Sequence, residues 1–137
     1  MSVLADIASA VSAALKSSLN LTAPVSYAPL ATLEASQELR AWVKPEAVRY
    51  GDLGPEKAQR NYDVHVVLAA PAKDASASAA MVTVGEQIAD LFVHKRLPGY
   101  EKAVCLSASL EPATDEKRLM ELHQHATVVV LRYRVIV

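Results

Sequence analysis

The chain holds a single cysteine, Cys105, so no disulfide can close within it and thiols alone cannot build a metal cluster. Glycine is scarce. Gly51 and Gly54 are followed by Pro55 and not by the Lys-Ser/Thr helix start of a phosphate-binding loop. A formal net charge of −1 gives no global steering toward nucleic acid or an anionic membrane. No stretch approaches the roughly 18 apolar residues of a spanning helix. No basic segment followed by an apolar run opens the chain, so no signal peptide is expected, and the protein is expected to be made in a reducing cytoplasm. Aromatics are few, at 5%.

What is present is a high apolar fraction, 52%, much of it Ala and Val. Such a composition suits close helix–sheet packing, and equally a subunit that buries further surface in an assembly. A length of 137 residues fits one domain, 1–137, able to bury roughly two-thirds of its unfolded surface.

Leu4, Ile7, Ala8, Val11, Ala14 and Leu15 repeat at helical spacing. Ser2 is placed to cap that helix, Asp6 suits its positive end, and Asn20 and Pro24 end it. Residues 24–29 read as a short extended piece. Residues 38–44 alternate, with Leu39, Ala41 and Val43 on one side and Arg40, Trp42 and Lys44 on the other. Pro45 suggests an end at a sheet edge or turn. Residues 51–59 carry the densest turn signal and read as a long mobile loop. Tyr62, Val64, Val66 and Leu68 then alternate with Asn61, Asp63 and His65 in a strand with one core face.

A second helix carries Met81, Val84, Ile88, Leu91 and Phe92, with Lys95 and Arg96 at its negative end. Residues 102–110 predict a strand with Val104, Leu106, Ala108 and Leu110 on one face. Thr114 or Asp115 starts a short helix to about Leu122, and a long strand runs from Ala126 to Val137. The sum is an α+β domain: a mostly antiparallel mixed sheet packed by two longer helices and one short one.

Chemistry-bearing residues are thinly spread. His123 and His125 share a strand face that a metal could use, with Glu121 or Cys105 as a third ligand, but no metal-site spacing is present and a solvated turn accounts for them. His65 falls on a polar strand face, and His94 lies near a helix end, where the dipole favours it. Cys105 has no adjacent base, so a small half-buried residue is expected there. Asp115 and Glu116 suit a helix N-terminus. No catalytic set, no cofactor and no metal site are expected. Arg132 and Arg134 are less ordinary, because they share a strand face with Val128, Val130 and Ile136. Edge protection or cross-strand ion pairing explains them as well as a charged seam against another subunit does.

Three segments resemble the tail terminator (tail completion) proteins of long-tailed bacteriophages. They are the opening helix from Leu4-Ala5-Asp6-Ile7-Ala8 with the extended piece after it; Glu38-Leu39-Arg40-Ala41-Trp42-Val43-Lys44-Pro45 followed by Arg60-Asn61-Tyr62-Asp63-Val64-His65-Val66-Val67 and the helix with Glu86-Gln87-Ile88-Ala89-Asp90-Leu91; and Glu111-Pro112-Ala113-Thr114-Asp115-Glu116-Lys117-Arg118-Leu119 before the strand ending Leu131-Arg132-Tyr133-Arg134. The resemblance implies a structural virion protein, not an enzyme. It implies a hexameric ring at the head-proximal end of the tail tube that stops tube polymerisation and docks the neck. The implied partners are further copies of the chain, the tail tube protein and a neck or head–tail connector protein, without specific nucleic-acid or membrane binding. Expected contact residues are Arg49 just before the loop, Asp52, Glu56 and Lys57 in it, Arg132 and Arg134 on the last strand, and the acids Glu111, Asp115, Glu116 and Glu121. Another connector part (a neck stopper or adaptor), a small-ligand-binding α+β protein and a chaperone or adaptor dimer are the alternatives.

Overall fold

The computed structural model describes residues 2–27, 40–54, 57–71, 75–112 and 124–136. Helix α1, Val3–Leu19, starts where the Ser2 hydroxyl accepts a hydrogen bond from the Ala5 N–H at 3.2 Å. It stops at Asn20, which takes a left-handed conformation (φ 52°) and donates its N–H to the Leu15 carbonyl. Asn is one of the few residues with a side chain that tolerates this geometry. The stripe Ile7, Ala8, Val11, Ala14 and Leu15 is buried, as the spacing predicts. Helix α2, Ala75–Phe92, buries Met81, Ile88 and Phe92, with Val84 and Leu91 packed beside them. Full burial of each large apolar side chain contributes about 1.5–3 kcal/mol.

Among the described residues there are five strands, with α2 between the second and third: β1 (Arg40–Gly54), β2 (Lys57–Pro71), β3 (Arg96–Leu97), β4 (Tyr100–Pro112) and β5 (Gln124–Ile136). Their order in the sheet is β1-β2-β5-β4-β3, and every neighbouring pair is antiparallel. Both helices pack on one face. Between them and the sheet lie Tyr62, Val64, Val66 and Leu68 of β2, Ala103 and Cys105 of β4, and Val129, Leu131, Tyr133 and Val135 of β5. Gly85 lets α2 approach closely, since a Cβ there would sit 2.8 Å from Leu110 Cδ2. Trp42, Val67, Ala69, Val128 and Val130 form a smaller apolar cluster on the opposite face. The exposed edge of β1 is partly covered: Ser26 N–H donates to the Val43 carbonyl and Val43 N–H to the Pro24 carbonyl, both at 2.9 Å.

Four expectations change. Pro45 does not end a strand; β1 runs on through a bulge between Pro45 and Ala47, which an edge strand tolerates. The expected loop 51–59 is instead largely the end of a two-stranded ribbon, paired as far as Gly54 and Lys57. In β4 a further bulge, between Cys105 and Ser107, shifts the alternation. Ala103 and Cys105 therefore face the core before it and Ala108 and Leu110 pack there after it, leaving Leu106 38% exposed. Finally, β5 is the central strand and not an edge, which removes edge protection as the reason for Arg132 and Arg134. The expected short third helix falls in residues 113–123, outside the described residues.

Candidate interaction surface

Alternation decides which residues leave the core. On β2, Tyr62, Val64, Val66 and Leu68 face the helices, so Asn61, Asp63, His65, Val67 and Ala69 face away. Register then aligns rows across that far face. Trp42, Val67, Val128 and Glu111 make one row, and Lys44, His65, Val130 and Ser109 the next. Ala47, Asp63, Arg132 and Ser107 follow, and then Arg49, Asn61, Arg134, Val104 and Arg96. The face is thus polarised: apolar at the Trp42 end, cationic at the Arg134 end.

Asp63 anchors the cationic half. Only 5% exposed, it lies 3.0 Å from Arg49 Nη2 through Oδ2 and 3.9 Å from Arg132 Nε through Oδ1. Each arginine side chain is more than half exposed, so the pairs fix side-chain direction more than they add stability. Arg134, one row on, makes no ion pair among the described residues, nor does Lys102. With Arg96 and Val104 these two line an open groove of about 350 Å³. Arg96 Nη1 donates to the Glu101 carbonyl at 2.9 Å, which holds its guanidinium at the groove wall.

The middle of the face is mixed. Glu46, in the β1 bulge, lies 3.2 Å from Lys44 Nζ and 3.8 Å from His65 Nδ1. Burial pushes the His65 imidazole below its ordinary value despite Glu46 and Asp63. On the core side, burial raises the Cys105 thiol, which is fully buried and donates to the Ser107 carbonyl. Burial, and secondarily Cys105, raises the Tyr133 phenol. The Tyr133 hydroxyl has no hydrogen-bond partner among the described residues.

Of the contact residues read from the sequence, the fold brings together Arg49 and Arg132 through Asp63, with Arg134 in the next row. Glu111 shares their face but sits opposite Val128, four residues from Arg132 and roughly 13 Å along the strand. Its carboxylate lies 3.5 Å from Ser109 Oγ. Asp52 and Lys57 take ribbon positions opposite Ala58 and Gly54. Glu56, Asp115, Glu116, Glu121 and His123 lie outside the described residues. His125 pairs with Ala70 through β5. Among the described residues no group of three or more His, Cys, Asp or Glu is placed to hold a metal, and no helix is long and apolar enough to cross a membrane. Cys105 is not half-buried, as its alternation with Ser107 and Ser109 predicts, but fully buried, because the bulge turns it inward. Sequence reasoning missed Asp63 as the anchor and Arg96 and Lys102 as groove walls. An acid within the valine-rich β2 was the available signal for the first; the other two depend on pairing between distant strands.

No family model matches this chain, and no curated protein matches it. Solved structures do. One chain of unstated function is 22% identical, with 96% of this chain and 91% of that one covered and a TM-score of 0.53. Another, from the virion of a native gene transfer agent particle, is 15% identical, with 98% of this chain and 95% of that one covered and a TM-score of 0.53. At these identities the likeness concerns the fold.

Proposed function

We propose that this chain is a structural protein of a phage-like virion, and that it forms a ring at the head-proximal end of a tail tube, where it stops tube polymerisation and docks the neck. The observation that carries the reading is the shared fold, along nearly the whole of both chains, with a chain of a gene transfer agent virion. The segment resemblance to tail terminators points the same way and supplies the position on the tail. The far face of the sheet supports a role in contacts, with exposed cations oriented by a buried acid.

Ring subunits meet through unlike faces, and their contacts must stay weak until the tube end collects them. A charged, hydrated surface suits that requirement better than a large apolar patch, which would join free copies early. Cryo-electron microscopy of tails assembled with this protein should show one ring of it at the head-proximal end of the tube. Tails that lack the protein should grow past their normal length. A two-fold dimer at that position, or tubes of normal length without the protein, would sink the proposal.

A further inference from the structure

We infer that the cationic half of the far sheet face receives the outer surface of α2 from a second copy of this chain, through the stripe Val82, Glu86 and Asp90. The inference rests on the ring reading for its place in the virion, but its argument comes from how charge is divided over the molecule.

Five cations, Arg49, Arg96, Lys102, Arg132 and Arg134, occupy this half face, and Asp63 is the acid among the described residues of its rows. With the whole chain at −1, four net positive charges here leave five net negative charges elsewhere. A chain so divided complements itself, face to different face.

The acidic counterpart must lie on a different face. Glu111 shares the sheet face with the arginines, so a contact pairing it with them is self-complementary and builds a two-fold dimer, not a ring. Glu86 and Asp90 stand on the exposed side of α2, across the sheet from the groove, and neither carboxylate has an ion pair among the described residues. Val82, at 43% exposure one of three large hydrophobics left open to solvent among the described residues, precedes Glu86 by one turn. Leu106, another of the three, lies in the β4 bulge beside Ser107, the residue opposite Arg132.

Dimensions agree. Glu86 and Asp90 are one turn apart, roughly 6 Å along the helix. Arg134 and Arg96 are two strand spacings apart, roughly 10 Å, with their side chains converging on the groove. A carboxylate pair on one helix face is therefore of a length to face the two arginines of the groove. A polyanion such as DNA fits less well, because Asp63 sits among the arginines, Trp42 is buried in its own cluster and the remaining chain repels it. Because the two surfaces lie on opposite sides of the sheet, the contact is heterologous and propagates to a ring or a filament.

The test is a charge swap with the full chain at millimolar concentration and low salt, read by sedimentation velocity. Glu86→Lys with Asp90→Lys should weaken self-association about tenfold or more, and Arg96→Glu with Arg134→Glu should do the same. Glu86, Asp90 and Arg96 are exposed and Arg134 is half-buried, and melting curves check that both variants fold. An equimolar mixture of the two variants should recover wild-type association, because each altered face then meets its new complement. Copies carrying Asp90→Cys and copies carrying Arg134→Cys should form a disulfide with each other on oxidation. Wild-type-like association of either variant, failure of the mixture to recover, or a wild type that neither associates nor cross-links between copies overturns the inference. Binding of a short DNA duplex that is lost in the arginine variant, without self-association, assigns the face to nucleic acid and overturns it too. A ring at the tube end that survives both variant pairs leaves the ring reading standing and removes this seam. Swap behaviour in solution without any ring on tails does the reverse.

Discussion

Tyr133→Phe should make this protein more stable. Tyr133 is fully buried in the core between the helices and the sheet, opposite Cys105 on β4, and its hydroxyl reaches no partner among the described residues. Burying a polar group without a hydrogen bond costs about 1–3 kcal/mol. Phe keeps the ring and removes only the oxygen, so the void is small and little dispersion is lost. The net expectation is a gain of about 1 kcal/mol, or about 4 °C in Tm for a chain of this size. Alkali supplies a second readout. Burial raises the phenol above its ordinary value, so from about pH 10 the unfolded chain releases a proton that the folded one retains. Stability of the parent protein should then fall by up to about 1.4 kcal/mol per pH unit, and Tyr133→Phe should remove that component. Urea unfolding at pH 7.5 and across the alkaline range measures both effects. A loss of 1 kcal/mol or more at neutral pH would mean that the hydroxyl is hydrogen-bonded, and the reasoning would fail.

Other perturbations separate core from surface. Ile88→Ala, at a fully buried position on α2, should cost about 2–5 kcal/mol by denaturant unfolding. Gly85→Ile should cost about 1–3 kcal/mol, since a Cβ there already crowds Leu110 Cδ2 and the rest of the side chain forces Leu110 or α2 to shift. Arg134→Glu should keep stability within about 0.5 kcal/mol, whereas Arg132→Glu sets a carboxylate beside buried Asp63 and should lower Tm further; equal losses would remove Asp63 as the anchor. His65 resists protonation in the fold, so stability present above about pH 6.5 should decline as pH falls below it, and His65→Gln should flatten that decline in melting curves at successive pH values.

Local pattern was enough for the parts of this fold that depend on neighbours in sequence. The helical stripe from Ile7 to Leu15, the Ser2 and Asn20 caps, and the split of β5 into Leu131, Tyr133 and Val135 inward against Arg132 and Arg134 outward all follow from residue spacing, because periods of 3.6 and 2 fix side-chain direction within one element. Pairing between strands carries no such local mark. Whether Pro45 ends a strand depends on a bulge, and whether Cys105 or Leu106 turns inward depends on one extra residue in β4. That β5 lies at the centre, with Arg132 one strand from Asp63 and Arg134 beside Val104, is a matter of strand order among segments far apart in the chain. The sequence by itself therefore determined the elements and which of their sides are apolar. Only tertiary structure decided which charges share a face, because register between distant strands is set by the burial of the whole sheet at once.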